Sequence, residues 1–205
     1  MSRRMNLAGF SVATMRDLFG SKDEVAVGRI AGQFASRVPH RPDDLTRQVA
    51  GIVERAIMTG VPFADLGEES TAHAIAAAAL ASDGQDWLFT RADTYHASAL
   101  EEGLWGLARK LGSPPTRAFL RGLIEGVPLF GSNSSPEAPY AAIGLEKLRT
   151  FRPGLVDLRE QVTYRVGRKN SPTEEEPAAV EFAGEFVGWL DEILDAERDL
   201  WFTFG

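Results

Sequence analysis

The spacing of apolar residues constrains the fold most, because it follows the helical period through most of the chain and alternates in only a few short segments, two of them near the chain ends. The clearest helical stretch runs from Asp43 to Thr59, and Gly60 followed by Pro62 supplies its stop signal. One apolar stripe recurs there every three or four residues, at Leu45, Val49, Ile52, Val53, Ala56 and Ile57. This spacing predicts an amphipathic helix with one buried face.

The same spacing predicts further helices along the chain. One is expected to begin at Ser21, because Glu24 three residues later completes the pattern of a capping box, and Pro39 ends it. Another is expected after Ser113, which precedes a proline at the first helical position. Besides a single turn at residues 15–19, the predicted helices span residues 21–38, about 70–82, 94–111, 114–125 and 175–197.

Alternating apolar residues predict strands, chiefly near the chain ends. The predicted strands are residues 6–14, 142–145, 161–166 and 200–204. Residues 87–89 predict a buried connection, and residues 129–140, with three serines and two prolines, predict a loop. The sequence therefore predicts one α+β domain over residues 1–205, with a predominantly helical body and a small sheet formed from the N- and C-terminal segments.

Charge and composition exclude several classes of function. The chain of 205 residues has no cysteine and a net charge of -7. Thiol nucleophiles, zinc–thiolate sites and disulfides are therefore excluded, and a cytoplasmic location is expected. A nucleic-acid binder needs a basic face, which this acidic chain does not show, whereas its negative field favours a basic protein partner. No apolar run approaches the roughly 18 residues of a membrane span, so no membrane partner is expected.

Histidines offer the strongest hint of catalysis. The three histidines lack a second ligand at helical spacing, so neither a metal site nor a cofactor is predicted. A histidine beside a carboxylate can act as a general base, and one group of polar residues lies close together in the sequence. The candidate catalytic residues are His96, Glu101, Asp93 and Tyr95. Of the other two histidines, His40 and His73, the latter can also act as a general base with a carboxylate such as Glu101 or Glu102. The alternative interpretation is that all three histidines are packed or surface residues.

Carboxylate pairs and tryptophans have structural interpretations as well as functional ones. Glu181 and Glu185 are four residues apart and share a helix face, as do Asp191 and Asp195. Such pairs can hold a magnesium ion or do acid–base work, but opposite an apolar helix face they predict a solvated surface. The four tryptophans, at positions 87, 105, 189 and 201, are expected to pack in the core, although a tryptophan can also anchor a partner.

Three segments resemble small bacterial proteins of the YfbM-like group. They are the opening strand leading into Gly20-Ser21-Lys22-Asp23, the helix over Tyr95–Leu111, and the last helix leading into Leu200-Trp201-Phe202-Thr203-Phe204. The resemblance implies an intracellular bacterial α+β protein and supplies no catalytic residues. By analogy alone, proteins of this style resemble immunity partners of toxins.

Three functional hypotheses follow. The first is a non-enzymatic binding protein, such as an immunity or antitoxin-like partner that covers a basic effector with its acidic surface. The second is a hydrolase or transferase whose site is assembled around His96. The third is a structural or homo-oligomeric scaffold, which the aromatic C-terminal segment favours.

Overall fold

The computed structural model describes residues 5–37, 43–61, 75–77, 79–81, 89–92, 99–125, 127, 140–168 and 175–204. In chain order the described elements are β1 (Met5–Phe10), α1 (Val12–Leu18), α2 (Glu24–Arg37), α3 (Asp43–Thr59), β2 (Phe89–Ala92), a π-helical turn (Ala99–Leu104), α4 (Trp105–Leu111), α5 (Pro114–Glu125), β3 (Tyr140–Ile143), α6 (Leu145–Gly167), α7 (Glu175–Asp195) and β4 (Asp199–Phe204). Residues 75–77 and 79–81 are also helical.

A four-stranded antiparallel sheet has the strand order β2-β1-β4-β3. Its two inner strands are β1 and β4, which pair along their whole lengths from Met5 opposite Phe204 to Phe10 opposite Asp199. The mostly helical α+β fold with a small sheet built from the terminal segments is therefore confirmed. The chain ends supply the centre of this sheet.

Helices cover both faces of the sheet, so the two inner strands are buried on both sides. Met5 and Leu7 of β1 join a core formed with the π-helical turn and α4–α7. Ala8 and Phe10 join a second core formed with α1–α3 and the helical residues 75–81 that are described. Trp201 of β4 belongs to this second core, and its ring meets Phe10 edge to face at 5.5 Å. Two-sided burial explains why Leu200, Trp201 and Phe202 of β4 are three consecutive buried apolar residues.

The N-terminal strand is shorter than predicted, because a cap intervenes. The Ser11 hydroxyl accepts a hydrogen bond from the Thr14 amide (3.2 Å), which starts α1 at Val12. The strand therefore ends at Phe10 rather than at Thr14. The first turn of α1 occupies residues predicted to be extended.

The predicted capping box at Ser21 is wrong, because tertiary hydrogen bonds hold the preceding loop. The amides of Gly20 and Lys22 donate to the carbonyls of Ala56 and Ile57 at the end of α3, at 3.1 and 3.0 Å. Lys22 takes a left-handed φ of 61°. The helix then begins at Glu24, where Asp23 Oδ1 accepts from the amides of Val25 and Ala26, both at 3.0 Å.

Two glycines make this loop crossing feasible. Gly20 and Gly60 both have positive φ, and a Cβ atom on either would lie 3.4 Å from the Cα of the other. The left-handed conformation and the close backbone approach both favour glycine. The loop between α1 and α2 is thereby held against the end of α3.

Predictions elsewhere are partly confirmed and partly wrong. The boundaries of α3 and α5 are those predicted, and the helical residues 75–77 and 79–81 agree with the alanine-rich helix. Residues 99–104 form a π-helical turn instead of ordinary α-helix. Phe89, predicted to lie in a connection, begins β2. Of the predicted loop at 129–140, residues 129–139 lie outside the described residues, as do Trp87 and Leu88, whereas Tyr140 begins β3 and the prediction is wrong there.

The predicted strand over residues 161–166 is also wrong, because these residues belong to α6. Val162 is buried, and Val166, one helical turn later, is partly buried against the same core. Alternation and helical spacing overlap in so short a stretch, which is why the pattern misled. Leu145, predicted to end a strand, is instead the first residue of this helix.

One carboxylate joins β4 to two helices. Asp199 Oδ2 accepts from the amide of Val12, the first residue of α1, and Asp199 Oδ1 accepts from the amide of Leu145, the first residue of α6; both distances are 2.7 Å. Gly144, which precedes α6, has no side chain to cap it. A negative charge is favourable at both helix N-termini. Asp199 therefore fixes the directions in which α1 and α6 leave the sheet.

The end of α7 is closed by a left-handed residue. The amides of Glu197 and Arg198 donate to the carbonyls of Leu194 and Ile193, both at 3.0 Å, in the pattern of a Schellman motif. Glu197 has a φ of 51°, where glycine is usual. The helix therefore ends at Asp195, two residues before the predicted boundary.

Candidate functional site

The outer face of α7 carries a concentration of acidic residues. This helix of 21 residues has seven acidic residues and no basic one. A group of its exposed residues falls on one side, and we call these residues the acidic face: Glu181, Gly184, Glu185, Gly188, Glu192 and Asp195. Their spacing of three or four residues confines them to one side of the helix. The surface is negative and contains no basic residue of its own helix.

Aromatic packing holds the opposite side of α7. Phe182 and Phe186 are fully buried and stack with a centroid distance of 5.4 Å. Trp189 is partly buried and meets Phe182 edge to face at 6.1 Å, as the core interpretation of this tryptophan predicts. Phe186 also contacts Phe119 of α5 at 6.5 Å. These contacts keep the helix, and therefore its acidic face, in a fixed position on the core.

An ion pair attaches α7 to the neighbouring helix α6. Arg152 Nε donates to Asp191 Oδ1 at 2.5 Å, and Arg152 Nη2 donates to Asp191 Oδ2 at 2.9 Å. The hydrogen bond from Arg152 lowers the pKa of Asp191, while the hydrogen bond to Asp191 raises the pKa of Arg152. Sequence spacing placed Asp191 on a solvated face with Asp195, but Asp191 instead turns toward α6. Its charge is therefore compensated within the fold.

Two glycines lie between the carboxylates of the acidic face. No atom lies within 4 Å of where a Cβ would stand on Gly184 or on Gly188, apart from chain neighbours and the backbone of the helix. Glycine in a helix interior costs about 1 kcal/mol relative to alanine. The packing of the described residues does not require glycine at either position. Between the acidic side chains, the helix therefore exposes backbone without side chains at Gly184 and Gly188, and we call these two positions the bare strip.

The candidate catalytic residues are only partly described. Asp93, Tyr95 and His96 lie outside the described residues, as do His40 and His73. Glu101 is partly buried within the π-helical turn, and Glu102 beside it is exposed. Such turns are frequent at functional sites, but the grouping of Glu101 with the other three residues stays a prediction.

Among the described residues, no three or more His, Asp or Glu side chains form a group suited to a metal ion. None of the helices in this part of the chain combines the length and hydrophobicity that crossing a bilayer demands.

Sequence reasoning identified Glu181, Glu185 and Asp195 but missed Gly184, Gly188 and Glu192 of the acidic face. Continuing the same helical spacing would have added Glu192 and the two glycines, so this signal was available. The pairing of Asp191 with Arg152 could not be predicted from helical spacing, because the two residues are 39 positions apart in the sequence.

The comparisons with known proteins add no relative. Protein-family models, curated proteins and solved structures give no match to this chain. The resemblance to the YfbM-like group therefore stays a prediction.

Proposed function

We propose that this chain is a non-enzymatic binding protein whose acidic face contacts a basic protein partner, in the manner of an immunity protein or antitoxin that covers a basic effector. The observation that carries the proposal is the acidic face itself, which presents four exposed carboxylates on a helix with no basic residue. A negative surface attracts a positive one and speeds their association.

The geometry of α7 suits this role. At 1.5 Å per residue, the acidic face from Glu181 to Asp195 is roughly 21 Å long, comparable to about four turns of a partner helix. Its aromatic underside and the pair between Arg152 and Asp191 hold the helix in place before binding. A surface that is already ordered loses less conformational entropy when a partner docks.

A cytoplasmic, bacterial setting is part of the proposal. A chain without cysteine needs no oxidising compartment to complete its fold. Immunity proteins and antitoxins are encoded beside their effectors, so the products of the two adjacent genes are the partners to test.

Calorimetric titration against these two proteins tests the proposal. We expect one of them to bind at low salt and to bind more weakly at 1 M salt, where the Debye length falls to about 3 Å. Absence of binding to both proteins at low salt would contradict the proposal.

Charge reversal then tests the surface. Glu185→Lys and Glu192→Lys, made singly, are expected to weaken binding roughly tenfold each, because each places a positive charge against a basic partner. Glu54→Lys is the matched control: Glu54 is an exposed glutamate of α3, on the other side of the sheet, and its reversal changes the net charge equally. Equal losses of affinity in all three variants would show that only the total charge of the protein matters. This result would refute the assignment of the binding surface to α7.

The π-helical turn supports a second candidate function, a hydrolase or transferase whose site is assembled around His96 and includes Glu101. A screen of ester, phosphate-ester and acyl-transfer substrates would test it. We would expect Glu101→Gln to abolish any activity found and Glu102→Gln, at the exposed neighbouring position, to retain it. Equal activity in both variants would rule out a catalytic role for Glu101.

A homo-oligomeric scaffold is the third candidate, and sedimentation distinguishes it from the others. The aromatic segment that favoured this hypothesis lies in β4, where Leu200, Trp201 and Phe202 are buried within the fold. These side chains are therefore already covered without a second copy of the chain.

A further inference from the structure

We draw no further inference here: the strongest candidate, the bare strip at Gly184 and Gly188 on the acidic face of α7, is a pair of small residues among carboxylates, and nothing in the structure shows what covers it.

Discussion

Removing the Asp199 carboxylate should weaken the starts of two helices at once. In Asp199→Ala the first amides of α1 and α6 both lose their acceptor, since each is bound at 2.7 Å by a different oxygen of this side chain. Loss of a side-chain cap costs about 1 kcal/mol per helix, and loss of the negative charge adds to this at each helix N-terminus. We therefore expect the free energy of unfolding to fall by about 2–3 kcal/mol.

Urea denaturation followed by circular dichroism measures this change. With a slope of about 2 kcal/mol per molar urea, the midpoint should fall by roughly 1 M while the slope stays constant. Asp199→Asn should lose nearly as much, because an amide offers one acceptor oxygen and turns its NH₂ group toward the second helix.

Two variants calibrate the Asp199 result. Ser11→Ala removes a cap from α1 alone and should cost about 1 kcal/mol. Asp157→Ala removes an exposed carboxylate of α6 that bonds only within its own helix, to Gln161, and should cost less than about 0.5 kcal/mol. If Asp199→Ala proves no more destabilising than Asp157→Ala, the idea that one carboxylate supports both helices is wrong.

Three further predictions concern stability. Glu197→Gly should stabilise the protein by about 0.5 kcal/mol, because glycine adopts the φ of 51° without strain; a lower midpoint in thermal melting would contradict this. Gly184→Ala should stabilise the protein by about 0.5–1 kcal/mol. Gly154→Ala should destabilise it by about 1–3 kcal/mol, because the new Cβ would lie 2.5 Å from the Thr116 hydroxyl oxygen. Equal effects of the two substitutions in urea denaturation would refute the idea that only Gly154 is required by packing. Because the pKa of Asp191 is lowered in the folded state, its ion pair contributes stability above the unfolded pKa of about 4. The difference in stability between the wild type and Asp191→Asn should therefore shrink as the pH falls from 7 to 3, and a constant difference would contradict the pairing.

Elements whose signals are local were predictable from sequence. Helix α3 has an uninterrupted apolar stripe, acidic residues in its first turn and a glycine after its end, so its boundaries follow from nearby residues. The start of α2 was not predictable, because the loop before it is held by the carbonyls of Ala56 and Ile57, more than thirty residues away. Helix α6 was not predictable as one element, because the alternating residues 161–166 also fit a strand and because Pro153 lies inside the helix.

In the candidate site, too, some features follow from nearby residues and others depend on contacts between distant segments. The exposed carboxylates of α7 follow from helical spacing, because the apolar side of that helix fixes the direction of the other side. The turn of Asp191 toward Arg152 and the double role of Asp199 depend on contacts between distant segments. No pattern within either segment reveals them.

The pairing of β1 with β4 determines how the protein responds to tension. Met5 and Phe204 face each other at one end of the antiparallel pair. Pulling these two residues apart therefore breaks the hydrogen bonds between β1 and β4 in succession, starting at that end, and not all at once. Bonds broken in sequence resist far less force than bonds sheared simultaneously. Tension applied between Met5 and Phe204 would thus separate β1 from β4 first and expose the hydrophobic side chains that pack on both faces of the sheet.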